Sequence, residues 1–488
     1  MSIIKIQNLT FSYPGTYQNI FEDLHLILDS DWKLGFTGRN GRGKTTFLNL
    51  LMDRYDYKGS ISTKVIFDYF PFEVKETKRY TYELVEEEVP YYEHWQLVKE
   101  MHLLGLEEEC LYRPYETLSQ GEQTKIQMIM LFLKDNRFLL IDEPTNHLDS
   151  PGRLLMKKYL NRKKGFIVVS HDREFLDGCT DHTLSINKTK IEIEQGSYSS
   201  YLRNKQYKDQ NELNQNEKLK KQIHTLQIAA KRTEGWSFDV EATKFGSGGA
   251  DRGYIGAKSA KMMKRSKCLQ KRKEKAIEEK SMLLRDIEQA EVLELKPEVF
   301  RCKQLMNVSD LSVTYGDKHI IDKVNFKVNQ GDRIAIRGKN GSGKSTIIKA
   351  ILDQVNYQGK VYKPNDLIVS YVNQDTSHLR GPMAVYIVES GVEDWLFRSM
   401  LHKLDFDQDM LEKNLEQLSE GQKKKVLLAR SLCERAHVYI WDEPLNFIDI
   451  HSKEQIENAI MTYRPTLVFV EHDGYFNDKI ATKVVELA

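Results

Sequence analysis

Alternating apolar and polar positions open the chain. Over residues Ile3–Tyr13 they predict a half-buried strand. Short continuous apolar runs, at residues 33–37 and 166–169, are typical of strands buried on both faces. Residues 46–52 follow the first of these runs and have the pattern of a helix. A strand that leads through a short loop into a helix predicts an α/β domain.

A long polar stretch in the middle of the chain has a different pattern. Residues 201–230 contain almost no glycine or proline, which predicts a surface helix. Glycines and aromatic residues at about 236–257 predict a turn, and a second polar helix follows to about residue 292. At 1.5 Å per residue, the two helices would form a projecting hairpin about 50 Å long. No apolar run approaches the roughly 20 residues that cross a bilayer.

The remaining sequence repeats at a spacing of about 300 residues. The matched pairs are Lys44 with Lys344, Ser119 with Ser419, Glu143 with Glu443, and His171 with His472. We therefore predict two tandem α/β P-loop ATPase domains joined by a long α-helical hairpin linker. The expected boundaries are 1–200, 201–300 and 301–488.

Phosphate-binding loops are the strongest motif in each copy. Gly38–Thr45 and Gly338–Ser345 both match G-x-x-x-x-G-K-[ST], and the first lies between a predicted strand and helix. Backbone N–H groups in such a loop converge on an anion, and the lysine reaches the β- and γ-phosphates. The expected ATP-binding residues are Gly38, Asn40, Gly41, Gly43, Lys44, Thr45 and Thr46, and Gly338, Asn340, Gly341, Gly343, Lys344, Ser345 and Thr346.

Acidic residues end the strand that should lie beside each loop. Asp142 and Asp442, with the hydroxyls of Thr45 and Ser345, are expected to hold Mg²⁺. The next residues, Glu143 and Glu443, are suited to polarise the attacking water. His171 and His472 would contact the γ-phosphate. A lone histidine at a strand end is usually structural, but the order of the motifs favours catalysis.

A Leu-Ser-x-Gly segment precedes a helix in each copy and predicts a second anion site. Its residues are Ser119 and Gly121 in the first copy and Ser419 and Gly421 in the second. This site cannot serve the P-loop of its own copy, which already surrounds the phosphates. We therefore expect a monomer whose two domains pack head to tail and sandwich two ATP molecules. Tyr13 and Tyr315 either stack on adenine or are ordinary strand aromatics, and their recurrence favours stacking.

The composition shows an uneven distribution of charge along the chain and indicates a cellular compartment. The net charge is +1, but residues 201–290 hold 21 Lys and Arg against 12 Asp and Glu. This excess suggests a polyanionic partner, although a solvated helical face would look the same. Five cysteines without a C-x-x-C pair favour a reducing cytoplasm and no zinc site. The N-terminus lacks the features of a signal peptide.

Together these motifs resemble tandem ABC ATPases, and the charged linker resembles the ABC-F translation factors. The resemblance implies binding at the tRNA exit site of the ribosome, beside ribosomal RNA and peptidyl-site tRNA, with the linker directed toward the peptidyl-transferase centre. Departures in the second copy, Asp442–Asp449 and Val470–Asp473, are similar to the Lsa and Vga resistance types. The short helical region before Ser119 and the lack of a C-terminal tail resemble Lsa more than Vga. This resemblance implies protection from lincosamides, pleuromutilins and streptogramin A.

The first copy lacks one polar residue of the ABC pattern. The loop glutamine is present as Gln374 in the second copy, where it is expected at the metal, but Phe72 takes its place in the first. The two ATP sites are therefore expected to differ in turnover.

Three other classes remain open: a housekeeping ABC-F factor, a transporter ATPase with separate membrane subunits, and a DNA-repair ATPase with a helical insertion. At the linker tip, Lys244, Phe245 and Tyr254 are expected to contact RNA, unless the tip is only a connecting loop.

Overall fold

The structure is a computed structural model. It describes residues 2–15, 19–187, 190–242, 292–315, 318–339 and 341–487, with residues 264, 271 and 275. The chain divides into two compact units. One unit combines Met1–Tyr201 with Ala290–Ala488 and contains both P-loop domains, and the other is Leu202–Gln289.

The first P-loop domain contains two sheets. Its described strands are β1 (Ile3–Phe11), β2 (Phe21–Asp29), β3 (Lys33–Thr37), β4 (Lys58–Ser62), β5 (Ile66–Phe70), β6 (Arg137–Asp142), β7 (Phe166–Val169), β8 (His182–Asn187) and β9 (Lys190–Gln195). An antiparallel sheet has the order β2-β1-β4, and a larger sheet has the order β5-β6-β7-β3-β8-β9. The larger sheet is parallel except for the β8–β9 pair.

Some helices of this domain begin where the sequence supplies a capping side chain. The described helices are α1 (Lys44–Leu51), α2 (Thr81–Glu88), α3 (His94–Leu103), α4 (Gln120–Leu133), α5 (Ser150–Asn161) and α6 (Arg173–Cys179), with 3₁₀ turns at Glu108–Tyr112 and Tyr115–Thr117. Ser119 caps α4, with its side-chain oxygen accepting the Glu122 N–H. Asp149 caps α5 through the Gly152 N–H. Capping fixes the Leu-Ser-x-Gly segment at the start of α4.

The linker begins with a longer helix than the sequence pattern predicts. Helix α7 spans Tyr198–Ala242, so residues 236–242 are helical and the expected tip boundary at 236 is wrong. The longer helix is possible because Gly235 is the one glycine in it, which costs about 1 kcal/mol, and because no proline lies between Gly235 and Ala242. Residues 264, 271 and 275 are also helical. The expected tip residues Lys244, Phe245 and Tyr254 lie outside the described residues. In the part of the chain that is described, we find no helix with the length and apolarity to cross a bilayer.

The second P-loop domain repeats the two-sheet plan. Its described strands are β10 (Gln304–Tyr315), β11 (Lys318–Asn329), β12 (Arg333–Arg337), β13 (Gln358–Tyr362), β14 (Val369–Val372), β15 (Val438–Asp442), β16 (Leu467–Val470) and β17 (Lys483–Glu486). Its described helices are α8 (Lys344–Ile351), α9 (Met383–Glu389), α10 (Asp394–Lys403), α11 (Gln408–Leu411), α12 (Glu420–Cys433), α13 (Ile450–Tyr463) and α14 (Gly474–Ile480), with a 3₁₀ turn at Leu415–Gln417. The sheet orders are β11-β10-β13 and β14-β15-β16-β12-β17. The duplicated α/β architecture predicted from the sequence is confirmed.

Central parallel strands form the core and position the candidate site. Strands β7 and β16 are buried along their whole length, because helices cover both faces of a parallel sheet. β6, β7 and β3 are neighbours, as are β15, β16 and β12. Their carboxyl ends meet at one edge of each sheet. This arrangement brings the P-loop, the acidic pair and the histidine of each domain together.

Candidate active site

The first P-loop places its lysine in the concavity of the loop. The Lys44 Nζ donates to the carbonyl oxygens of Gly38 at 2.7 Å and Arg39 at 3.1 Å. Gly43, just before α1, has φ +94°, and a Cβ there would lie 2.6 Å from Ile20 Cγ2. Only glycine fits this position without displacing a neighbour. Burial lowers the pKa of Lys44, against the opposing charges of nearby carboxylates.

The second P-loop has the same geometry. Lys344 Nζ donates to the Gly338 and Lys339 carbonyl oxygens, both at 2.9 Å. Gly343 has φ +90°. Burial lowers the pKa of Lys344 as well. Asn340 lies outside the described residues.

Each P-loop hydroxyl lies against the aspartate of the neighbouring strand. Thr45 Oγ1 donates to Asp142 Oδ2 at 2.9 Å, and Ser345 Oγ donates to Asp442 Oδ1 at 3.1 Å. Burial raises the pKa of Asp442 to about 6. These oxygens suit Mg²⁺, which typically takes one or two protein ligands and the phosphates of its nucleotide. The described residues contain no group of three or more His, Cys, Asp or Glu side chains that could hold a metal by themselves.

The glutamate after each aspartate faces the predicted histidine. His171 Nε2 lies 3.3 Å from Glu143 Oε1, and His472 Nε2 lies 3.2 Å from Glu443 Oε1. Both glutamates have positive φ, +52° and +47°. Left-handed backbone at a non-glycine residue is uncommon and is found at functional sites. The structure therefore brings together the predicted acidic and histidine residues in each domain.

Glu443 is surrounded by hydrogen-bond donors. Its Oε2 accepts from Gln374 Nε2 at 2.9 Å and from Asn446 Nδ2 at 2.6 Å. Burial tends to raise the pKa of Glu443, but the bond with His472 and the nearby lysine charges outweigh it and the pKa is lowered. The Gln374 side chain was expected to bind the metal, but in the structure its amide donates a hydrogen bond to Glu443. Sequence reasoning missed Asn446, although it lies three residues after Glu443.

Glu143 has fewer such donors. Phe72 replaces the glutamine; its carbonyl oxygen accepts from Gln127 Nε2 at 3.1 Å, and its ring centroid is 6.0 Å from Lys134 Nζ. Burial, followed by the charge of Asp142, raises the pKa of Glu143 to about 8. The pKa values of the two glutamates are therefore shifted in opposite directions.

A cavity of about 1010 Å³ joins the two domains, and we call it site two. The first domain contributes its Leu-Ser-x-Gly segment, and the second contributes its P-loop and candidate catalytic residues. The lining includes Ser119, Gly121, Asp149, Gly341, Gly343, Lys344, Ser345, Thr346, Gln374, Glu443, Asn446 and His472. Neither domain alone supplies this set.

The reciprocal junction, which we call site one, joins the first P-loop to the second domain. Asn40 Nδ2 donates to the Phe447 carbonyl oxygen at 3.0 Å. A Cβ on Gly421 would lie 3.4 Å from Asn40 Nδ2 and 2.5 Å from that carbonyl oxygen. Ser419 caps α12, where its Oγ accepts the Gln422 N–H at 3.3 Å. The Leu-Ser-x-Gly segment of each domain thus faces the other domain's P-loop.

Two segments of the chain, residues 21–146 and 321–446, match the family model described as ABC transporter. The chain belongs to the ABC transporter family. Family membership and its relatives establish an ATP-binding, ATP-hydrolysing enzyme.

Relatives of this ABC protein include the ribosome protection protein VmlR of Bacillus subtilis, 27% identical over 98% of this chain and 85% of VmlR. ABC transporter F family member 5 of Arabidopsis thaliana is 26% identical over 99% of this chain and 75% of its own length. Among solved structures, the archaeal ribosome recycling factor aABCE1, crystallised with ribosomal stalk protein aP1, superposes with a TM-score of 0.65 at 19% identity. That alignment covers 98% of this chain and 87% of the other, and supports the same fold. The relatives of this chain thus include a protein named for ribosome protection and one named as an ABC F family member.

Contacts at the centre of the ABC domain interface involve residues that the sequence did not single out. Lys453 Nζ donates to the His171 carbonyl oxygen at 3.0 Å and to Asp473 Oδ2 at 3.1 Å. Arg173 Nη1 lies 3.2 Å from Glu457 Oε1, and Nη2 donates to the Ile450 carbonyl oxygen. These bonds connect the histidine loops of both ABC domains.

A second interface cluster lies at the first P-loop. Arg39 pairs with Asp405 and also contacts His451 Nε2 at 2.7 Å. The repeat-equivalent residues at site two are Lys339, Gly105 and Pro151, which cannot form this cluster. A comparison of the two repeats could have found this difference.

Tyr13 lies beside the first P-loop helix. Its hydroxyl is 2.8 Å from Thr46 Oγ1, and its ring meets Phe11 edge-on at 5.1 Å between centroids. The side chain is 37% exposed, so part of the ring remains accessible for stacking. Tyr315 ends β10, and its side chain is outside the described residues.

Proposed function

We propose that this chain is a cytoplasmic ABC-F ATPase that binds the ribosome at the tRNA exit site and protects it from lincosamide, pleuromutilin and streptogramin A antibiotics. The linker, residues 201–300, would extend toward the peptidyl-transferase centre, with ribosomal RNA and peptidyl-site tRNA as partners. The observation that carries this proposal is the similarity to VmlR, a protein named for ribosome protection, over 98% of the chain.

Charge supports an RNA partner. Residues 201–290 contain 21 Lys and Arg residues against 12 acidic ones, although the whole chain is nearly neutral. Such an excess favours contacts with phosphates, which release counterions when they are neutralised. The described part of this stretch is helical as far as Ala242, which suits a rigid extension.

ATP would be sandwiched at both junctions. In site two, Lys344 is in place to bind the β- and γ-phosphates, and Ser119 approaches from the opposite domain. Glu443 would accept a proton from the attacking water, with His472 beside it. Gln374 and Asn446 hold the carboxylate in one orientation.

Mg²⁺ would be held by Thr45 and Asp142 in site one and by Ser345 and Asp442 in site two. When bound, the ion neutralises charge that develops on the β- and γ-phosphate oxygens. Each hydroxyl lies within hydrogen-bond distance of its carboxylate, so both oxygen ligands are already adjacent.

Closure would couple ATP to ribosome binding. The γ-phosphate would contact both domains, so its loss would remove the link between the P-loop and the serine of the opposite domain. The double variant Glu143→Gln, Glu443→Gln should bind ATP, hydrolyse it slower by orders of magnitude, and remain closed.

The proposal is tested by measuring the drug susceptibility of a sensitive bacterium that expresses this chain. We expect a higher inhibitory concentration for the three drug classes. The Glu143→Gln, Glu443→Gln variant is a control that should lose protection but not expression. Replacing Lys244, Phe245 and Tyr254 with Ala should abolish protection while ATPase activity stays near normal. Ribosome binding without any change in susceptibility would contradict protection and favour the housekeeping alternative.

A further inference from the structure

Tyr69 contacts the candidate metal ligand of site one. It lies in β5, one residue before Phe70, which pairs with Ile141 of β6. Its hydroxyl donates to Asp142 Oδ2 at 2.9 Å. The same oxygen accepts the Thr45 hydroxyl at 2.9 Å. Two donors therefore fix one oxygen of this carboxylate.

The ring of Tyr69 is itself held in place. Arg54 lies 5.2 Å from its centroid, within the range of a cation–π contact. Arg54 Nη1 also donates to Asn49 Oδ1 at 3.1 Å. The hydroxyl thus projects from a supported side chain, which is what orientation of a neighbouring ligand requires.

The equivalent tyrosine of the second domain makes a different bond. Tyr371 of β14 donates to Asn373 Oδ1 at 3.2 Å. Pro71 takes the place of Asn373 in the first domain and provides no side-chain acceptor. Phe72 likewise takes the place of Gln374. The two domains therefore differ together at three aligned positions. In the first domain, which lacks the asparagine and the glutamine, the tyrosine hydroxyl donates to the aspartate instead.

We infer that Tyr69 is a positioning residue for the metal in site one, acting through Asp142. This inference rests on the proposed Mg²⁺ and ATP assignment. Outer hydrogen bonds to a metal ligand typically change metal affinity by about 10- to 100-fold when they are removed. In site two, the Gln374 amide donates to Glu443 and the Tyr371 hydroxyl donates to Asn373. Site two therefore does not depend on its tyrosine in this way.

The test counts bound Mn²⁺ by electron paramagnetic resonance in the presence of a non-hydrolysable ATP analogue. The full chain carries Lys344→Ala, so that nucleotide binds at site one. We expect Tyr69→Phe to weaken Mn²⁺ binding about tenfold, while metal-free affinity for the analogue changes less than twofold. The matched control is Tyr371→Phe in a Lys44→Ala chain, where Mn²⁺ affinity should change less than twofold.

Three outcomes would overturn the inference. Mn²⁺ affinity unchanged by Tyr69→Phe removes the positioning role alone. An equal loss of metal-free nucleotide affinity shows that the tyrosine only supports the fold. If the Lys344→Ala chain binds nucleotide but no Mn²⁺, the metal assignment of site one fails together with the inference.

Discussion

Replacing Phe72 with Gln should make site one more active at neutral pH. Glu143 has a pKa of about 8, mainly through burial, and a general base must be ionised to accept a proton. In site two, Gln374 donates to the equivalent carboxylate at 2.9 Å. Phe72→Gln introduces the same kind of donor at the aligned position, and a bond from it to Glu143 would stabilise the ionised form and lower the pKa.

The size of the effect follows from the strength of that bond. A hydrogen bond to a charged group contributes about 1.5–3 kcal/mol, and one pKa unit is about 1.36 kcal/mol. The pKa of Glu143 should therefore fall by about one to two units. At pH 7 the ionised fraction would rise from about one tenth to between about half and nine tenths, a five- to tenfold increase. Mg²⁺ and the γ-phosphate have opposite charges, so their effects on this pKa oppose each other.

The assay is a pH profile of ATP turnover with the other site silenced. In a Glu443→Gln chain, turnover should rise with pH through about 8, and Phe72→Gln should move the midpoint down. The mirror change, Gln374→Phe in a Glu143→Gln chain, should raise the pKa of Glu443 from below its ordinary value, so the acidic limb of its pH profile should move up while Glu443 stays mostly ionised at pH 7. Superimposable profiles with Phe72 and with Gln at this position would refute the reasoning.

Three other predictions concern a buried ion pair, a P-loop glycine and the charge of residues 201–290. Glu457→Gln removes the buried partner of Arg173 and Lys479 and should lower the free energy of unfolding by about 3–5 kcal/mol in urea. Lys157→Gln, at the repeat-equivalent position, removes only the pair with the exposed Glu174 and should cost under about 1 kcal/mol. Gly43→Ala places a Cβ 2.6 Å from Ile20 and should abolish ATP binding at site one, measured by titration in a Lys344→Ala chain; retained affinity would contradict the close fit. The fraction of the chain that sediments with ribosomes should fall steeply as the salt concentration rises, because residues 201–290 would contact RNA phosphates. Binding that does not depend on salt would count against these phosphate contacts.

Local motifs and the head-to-tail pairing of the domains could be predicted from the sequence, but the individual side-chain contacts across the interface could not. A P-loop needs only eight consecutive residues, and its Thr45 hydroxyl lies 2.9 Å from Asp142 Oδ2, while the roles of these residues in binding ATP and metal stay predictions. Arg173 and Glu457, in contrast, are 284 residues apart and meet only when the domains pack. The role of Tyr69 depends on Pro71 and Phe72, whose neighbours in the fold are set by strand pairing. The extra length of α7 was missed because the aromatic and glycine residues from about 236 were assigned to a turn, whereas the helix continues to Ala242.

Unequal substitutions between the repeats carry information that each repeat alone lacks. Thr145 Oγ1 and Ser170 Oγ lie 3.2 Å apart in the first domain. Leucine and glutamate replace them in the second, and Glu471 Oε1 instead accepts the Leu445 N–H at 2.7 Å. These departures compensate for each other, so they preserve the loop before His472.

Electron cryomicroscopy of the Glu143→Gln, Glu443→Gln chain, mixed with Mg²⁺, ATP and bacterial ribosomes, tests the central claim most directly. The claim is that two ATP molecules are held head to tail in a chain that acts on the ribosome. We predict one ATP between Lys44 and Ser419, another between Lys344 and Ser119, and the chain in the tRNA exit site. ATP bound only by the P-loop of its own domain, or ribosomes without the chain, would contradict the account.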